Sequence, residues 1–500
     1  MKKISFVRMF IMSLLGFALT FSGNIQDPPL MTFKVRQLVS PNLDNTALGI
    51  LGFVGLLVAM VVQPIVGVFS DRAKTKLGRR LPFIIGGAVL IAASLFLLAA
   101  APALWVLLLG VILIQFSSNI LQGPWQALIP DLVPEEQRGQ ASSLKAVMDI
   151  IAFAVGGMVA GKILSAGIER WGNNGVYLAA AVPTIIFFIF VVFTAIWARE
   201  NSEAVPASAT SRSVKQALRE AFSVDIGSDD ISGKQSSSRA FIWIAFTFLV
   251  ISLAGYLVGF LSVLEKIKAG IEHPAWPIYS YVAGIVVIVS LLTIIVLIFS
   301  NMRSNRLFRL WFANRILFWG AFIAINSFLI MYLIDVIKMG DTEAQSFYGN
   351  LKIILGGALI VVALIAGWLS DKFGRKPVML IGGLVAFAGT FTLLFVRDLP
   401  LITVAGAIVG MGIGAFLTAS WALATDIVPP GEVARYMGIA NIATCIGSGV
   451  ARLLGGVLID PINNILGSKS SGYLLLYSLA AACFLASALV IIPLPNKQRE

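Results

Sequence analysis

Long apolar runs, each about the 20 residues needed to cross a bilayer core roughly 30 Å thick, alternate along the chain with short polar breaks. They predict helical spans near 6–26, 46–69, 81–101, 103–128, 141–166 and 175–197. After a polar stretch follow 241–263 and 277–300, then 313–337, 347–369, 378–396, 400–424, 436–458 and 472–493, fourteen in all. The tightest cuts are the hairpins at Ala101–Ala103 and Arg397–Pro400. The first run has a basic start and an apolar middle, but no small-residue cleavage site follows it, so it reads as span one and not as a signal. The expected class is an all-α integral membrane protein.

Composition agrees. Among 500 residues 58% are hydrophobic and 12% charged, with mean hydropathy +0.91; a soluble domain carries about 25% charge. Thirty-seven basic residues against 25 acidic ones give a net charge of +12, which raises the question of a nucleic-acid partner. Sorting them by side answers it. With the N-terminus inside, 25 basic residues fall in inner segments, 8 in outer loops, and four (Lys145, Lys162, Lys352, Arg452) within spans. The excess follows the positive-inside rule, so both termini are expected in the cytoplasm, in a cell (plasma or inner) membrane, with no nucleic acid. The densest inner stretches are 72–80, 199–239 and 303–315. Cys445 and Cys483 sit in apolar runs, and the single histidine, His273, has no second ligand nearby, so neither a disulfide framework, a metal site nor a cofactor is expected.

The chain repeats itself. Gly67-Val-Phe-Ser-Asp71-Arg72, followed by Gly78-Arg79-Arg80, is echoed by Gly367-Trp-Leu-Ser-Asp371-Lys372-Phe-Gly374-Arg375. Ala127-Leu-Ile-Pro-Asp131 is echoed by Ala422-Leu-Ala-Thr-Asp426, with Arg138 and Arg435 following. Each echo closes the second or fourth of six spans, which predicts a duplicated six-span unit in parallel orientation. The expected layout is a six-helix bundle over 1–198, a cytoplasmic linker over 199–240, an inserted two-span hairpin over 241–300 and a second six-helix bundle over 301–500. Within the linker Val214, Leu218, Ala221 and Phe222 have helical spacing, as in a short interfacial helix. The hairpin reads as scaffolding.

The Asp-Arg…Gly-Arg-Arg loop with its weaker second copy resembles the signature loop of the major facilitator superfamily. Val62-Gln63-Pro64-Ile65-Val66-Gly67, Ser70-Asp71-Arg72 and Gly78-Arg79-Arg80-Leu81-Pro82 are similar to the sucrose–proton symporters, which belong with the glycoside–pentoside–hexuronide:cation symporters. Gln122-Gly123-Pro124 and Asp131-Leu132 add a second block. The resemblance implies the major facilitator fold, six plus six helices with two inserted, and alternating access. It also implies an acid at the place of Asp131 as one coupling candidate. The chain departs from the pattern at Gln126, where those symporters carry an arginine, and Leu48–Gly67 lacks the carboxylates of sodium-coupled melibiose-type relatives.

Polar residues inside spans mark cavities or contacts between helices. Gln115, Asn119, Gln122 and Gln126 share one face of span four, beside Trp125. In the second half Trp421 occupies the repeat position near Gln126, while Asn441, Thr444, Ser448 and Arg452 form a stripe. With Asn24 and Asn326 these are the expected substrate contacts, suited to a neutral, hydroxyl-rich solute, because an anion would want several midplane cations. Asp149, with Lys145 four residues before it, is the intramembrane carboxylate expected to couple transport to protons or to form a buried ion pair. Gly67, Asp71, Arg72, Gly78, Arg79, Arg80 and Arg138 are expected to form a cytoplasmic gate. Gly367, Asp371, Lys372, Gly374, Arg375, Asp426 and Arg435 are expected to match them in the second half. The expected function is a sugar or glycoside transporter, proton-coupled and monomeric; the alternative is a fourteen-span proton-coupled drug or metabolite exporter. No Ser/His/Asp set, metal cluster or phosphate loop suggests an enzyme.

Overall fold

The computed structural model describes residues 3–73, 75, 77–197, 234–271, 277–301, 306–427 and 433–494. The expected linker helix around Val214–Phe222 lies outside them. The first bundle consists of α1 (Phe6–Ile25), α2 (Met31–Leu38), α3 (Asp44–Arg72), α4 (Leu81–Ala100), α5 (Leu104–Leu132), α6 (Arg138–Trp171) and α7 (Val176–Trp197). The inserted hairpin is α8 (Lys234–Lys268) and α9 (Ile278–Asn301). The second bundle is α10 (Arg306–Asp335), α11 (Asp341–Phe373), α12 (Arg375–Leu393), α13 (Leu399–Ile427), α14 (Val433–Leu466) and α15 (Ser471–Val490). Thirteen stretches among the described residues are long and apolar enough to cross a membrane, and one of them, Gln140–Trp197, holds both α6 and α7. The fourteen expected crossings are therefore present in a multi-pass membrane protein.

Span one runs longer than the apolar pattern predicts. At Gln26–Leu30 a π-helical turn with Asp27 at φ −136°, ψ 119° interrupts it, and the helix then resumes as α2 to Leu38. The polar Gln26-Asp27 and the two prolines after it read as a terminus, but proline removes only its own N–H and is tolerated where a helix restarts. The ninth span, 313–337, also starts earlier: α10 begins at Arg306, and Arg315 lies inside it, 3% exposed. Counting Arg315 with the inner basic stretch is thus corrected. A hydropathy window scores a guanidinium as polar whether it faces water or aromatic rings.

The duplication extends to the backbone. Gly78 and Gly374, in matched loops, have φ of 97° and 94°, the region where a Cβ is disfavoured and glycine is at home. The hairpin closes on itself, with Ser280 packed against Gly259. Its outer faces carry large apolar side chains such as Ile278, Ile251 and Val296, at 81%, 64% and 65% exposure, as lipid contact requires.

Between the bundles, α3 packs on α14 and α6 on α11 through small residues. A Cβ on Gly49 would lie 2.7 Å from Gly456 Cα, and one on Gly161 would lie 3.0 Å from Gly349 Cα, so the backbones approach as close as helices can. Every residue of α3 from Asp44 to Gly55 is buried, whereas Leu56–Val61 are partly exposed. The halves meet at the Asp44 end and part toward the Asp71 end.

Candidate functional site

The closed end is held by polar groups from both halves. Asp460 of α14 accepts from Thr46 N (2.7 Å), Thr46 Oγ1 (2.9 Å) and Asn45 Nδ2 (2.9 Å). Arg36 reaches Asp44 at 3.4 Å and, in the other half, Asp341 at 3.1 Å. Tyr473 OH donates to Asp335 Oδ2 at 2.6 Å. One layer deeper, Asp27 pairs with Arg452 across the halves, while Lys352 Nζ and Tyr348 OH donate to Asn326 Oδ1 at 2.6 and 3.1 Å. Gln345 Nε2 donates to Pro29 O at 3.2 Å, so α11 also grips the interrupted first span. Arg452 and Asn326, expected as substrate contacts, therefore sit in this closure.

Below it comes an aromatic layer. Phe153 of α6 faces Phe322 of α10, with centroids 6.2 Å apart, and a Cβ on Gly449 would meet the Phe53 ring at 3.3 Å. α6 and α10 run in the same direction, and the residues one and two turns before these phenylalanines share a face with them on each helix. On α6 they are Asp149 and Lys145; on α10 they are Trp319 and Arg315, each at helical spacing.

On the first half's wall, Lys145 Nζ lies 3.9 Å from Asp149 Oδ2 and 5.0 Å from the Trp125 ring centre. Thr20 Oγ1 donates to Asp149 Oδ1 at 3.2 Å, and Trp125 Nε1 donates to Met12 O at 2.9 Å. Trp125 packs over Gly16, where no side chain would fit. Among the amides, Asn119 is buried and donates to Gln115 O of its own helix at 2.8 Å. Gln115, Gln122 and Gln126 are half-buried, and no described hydrogen bond ties their side chains to another helix. Asn24 donates to Thr20 O at 2.9 Å and packs where α1 meets Gly156 of α6.

In the second half, Arg315 Nε donates to Thr444 Oγ1 of α14 at 3.0 Å. Its guanidinium carbon stands 4.2 Å from the Trp421 ring centre and 5.5 Å from that of Trp311. Trp311 Nε1 in turn donates to Ser420 O at 2.9 Å, which fixes the ring below the cation. Asn441, one turn before Thr444, is exposed. Trp421 is half-buried against Arg315 within the second half. Sequence reasoning missed Arg315, Trp319 and the Asp27–Arg452 pair. For the pair the available signal was an acid directly before two prolines in span one and a lone arginine in span thirteen.

The open end carries the motif loop. Asp131 Oδ2 accepts from Arg79 Nη2 (2.9 Å) and Arg80 Nε (3.0 Å), while Arg80 Nη1 reaches Asp71 and donates to Ser70 Oγ at 2.7 Å. This network joins the ends of α3 and α5 to the start of α4 within one half. Arg72 Nη1 lies 3.5 Å from Val68 O, besides a further contact. In the second half Arg375 Nη1 holds Asp371 Oδ1 at 2.6 Å and Ser370 Oγ at 2.9 Å, and Lys372 lies 5.0 Å from the Trp368 ring centre. Gly67, expected at a close approach, has nothing among the described residues within 4 Å of a Cβ placed on it, and Gly367 meets only Thr418, at 3.7 Å. Both lie where the halves have parted. The side chains of Arg138, Asp426 and Arg435 lie outside the described residues. No group of three or more metal-ligating side chains occurs among the described residues.

The chain matches the model of the Major Facilitator Superfamily over residues 4–357 and 343–500. A minor myo-inositol transporter, IolF of Bacillus subtilis (strain 168), is 32% identical over 152 residues, 30% of this chain and 33% of that protein. Sucrose transport protein SUC4 of Arabidopsis thaliana is 31% identical over 149 residues, 25% of this chain and 29% of that protein. The matched stretch thus spans about a third or less of these relatives. Among solved structures, a D-xylose-proton symporter superposes with a TM-score of 0.61 at 15% identity, covering 98% of this chain and 97% of that one.

Proposed function

Since the chain belongs to the Major Facilitator Superfamily, we propose that it carries a small polar solute, a sugar or glycoside, across a cell membrane by rocking of its two halves, in symport with protons. The observation that carries this reading is the stripe of half-buried amides on α5, Gln115, Gln122 and Gln126, with Trp125 beside it. Amides and aromatic rings in combination suit hydroxyls and ring faces. The inositol and sucrose transporters among its relatives support the solute class.

The proton site in this reading is Asp149. It lies inside a span and is held by a single lysine and one hydroxyl, so a proton and Lys145 compete for it. Asp131, the second candidate, is engaged by two arginines and serves as the keystone of the gate. Both termini lie on the cytoplasmic side, where the basic loops gather, and the monomer is the working unit. The halves then part toward the cytoplasm.

Reconstitution into proteoliposomes tests the proposal. An imposed inward proton gradient should drive accumulation of a mono- or disaccharide above its external level, and collapsing the gradient with a protonophore should abolish it. Equilibration without accumulation would rule out coupling, and the absence of any uptake across a sugar panel would rule out the solute class.

A further inference from the structure

Lys352 occupies the middle of the seam between α6 and α11, where the two halves touch. It lies between Gly349 and Gly356 on one face of α11, and both glycines meet α6. A Cβ on Gly349 would lie 3.1 Å from Gly157 O, and one on Gly356 would lie 3.3 Å from Ala154 Cα. The lysine stem crosses Gly157 of α6, where an added Cβ would lie 2.7 Å from Lys352 Cβ. Its Nζ ends 3.8 Å from the centre of the Phe153 ring, and only 3% of the residue is exposed. These contacts last only while α11 is closed on α6. Once the halves part at the Asp44 end, the ammonium stands in the cleft that opens to outer water.

In the closed seam that charge is poorly compensated. Among the described residues no carboxylate lies within ion-pair distance of Nζ, which donates to Asn326 Oδ1 and lies against the Phe153 and Tyr348 rings. Asp27, at the break in span one, acts on it electrostatically but is held by Arg452 of α14. The remaining titratable neighbour is Tyr348 of its own helix; α6 presents Phe153 and Gly157, and α10 presents Asn326. A cavity of about 30 Å³ beside it has room for a water or two and takes apolar side chains from α10, α12 and α13, among them Phe322, Leu393 and Val409. Two rings and a neutral amide offset only part of the cost of burying a charge. A lysine, unlike an arginine, escapes that cost by giving up its proton.

We propose that Lys352 carries the coupled proton through the closing of the Asp44 end: it is an ammonium while that end is open and an amine once α11 has closed on α6. On closing, one N–H bond breaks, the electron pair stays on Nζ, and the proton passes through water to the Asp149 carboxylate. Asp149 lies one turn before Phe153, and two before Gly157, on the same face of α6. It is the next titratable group of that helix toward the cytoplasm. The amine keeps an N–H for Asn326, and reopening returns Nζ to outer water, where it takes the next proton. The assignment rests on the proton-symport reading above and supplies the step that loads its proton site.

Spin labels on the two halves at the Asp44 end, in proteoliposomes without solute, test it. Closing sheds a proton, so alkali favours the closed end and acid opposes it. Between about pH 7 and 9 the ratio of closed to open populations should rise with pH, by up to roughly tenfold per pH unit. Lys352→Met, which keeps the stem and removes the titrating group, should flatten that response. Lys352→Arg, whose charge cannot be shed, should hold the end open at every pH. A response as steep in Lys352→Met as in the wild type, or a flat or falling ratio in the wild type, would overturn the assignment. Uptake of sugar driven by a proton gradient separates the assignment from the reading beneath it. Accumulation in the wild type that is lost in Lys352→Met supports both, and accumulation that survives there overturns the role of Lys352 while leaving proton symport intact. No accumulation in the wild type removes both. Should Lys352→Met not yield a monodisperse protein, Lys352→Gln takes its place.

Discussion

Asp149 shows how much one side chain's meaning depends on its surroundings. Its distance of four residues from Lys145 was readable from the chain, since that spacing puts both on one helical face. That Thr20 completes its shell was not, because α1 is brought there only by the packing of the bundle. Asp149→Asn should abolish gradient-driven accumulation while counterflow stays within about threefold of wild type; unchanged accumulation would remove Asp149 from coupling. The α5 amides make a second test. Gln115→Leu combined with Asn119→Leu should cut uptake at least tenfold without loss of folded protein by gel filtration. The amide stripe was legible in full, for a period of 3.6 residues requires no tertiary knowledge. The Asp27–Arg452 pair was hidden because it joins distant stretches of chain. Asp27→Ala should cost about 3–5 kcal/mol of closed-state stability, the usual penalty for leaving a buried charge alone. A fall in melting temperature that Arg452→Leu partly restores would show it.

Among the elements, the seams matter most. The α3–α14 and α6–α11 contacts rely on glycines, and a larger side chain there opposes one arrangement of the halves without touching the solute. Gly49→Leu should disfavour the closed Asp44 end by about 1–3 kcal/mol, the usual cost of overpacking, or roughly 5- to 150-fold in the equilibrium between facing states. Spin labels on the two halves at that end should report longer separations; unchanged distances would count against the seam. The echoed loops were predicted from sequence, and their shared positive φ at Gly78 and Gly374 has a simple cause: a turn leaving one helix for the next needs a residue without a Cβ. The π-helical turn in span one and the early start of α10 were not predicted. In both places the local polarity signals an end, while neighbouring helices supply partners that allow the helix to continue.

At the scale of the whole molecule, two bundles and a hairpin were legible because hydropathy counts spans and the echoes divide them. The state of the carrier was not, since both facing states share one sequence. The hairpin α8–α9, apolar over its outer faces, fits a spacer between the halves. Removing 241–300 and rejoining the linker should leave measurable transport, whereas total loss with intact folding would assign the hairpin a part in the cycle. The closure at the Asp44 end has a kinetic consequence. An empty carrier resting in this state must undo Asp27–Arg452, the Asp460 contacts and two glycine seams before it can face the other way, with no cargo to compensate. Its unladen return is then the slow leg of each cycle, so the protein works as a turnstile that moves fastest when occupied in both directions. Equilibrium exchange should outpace net flux several-fold, and solute added to the far compartment should speed the exit of labelled solute.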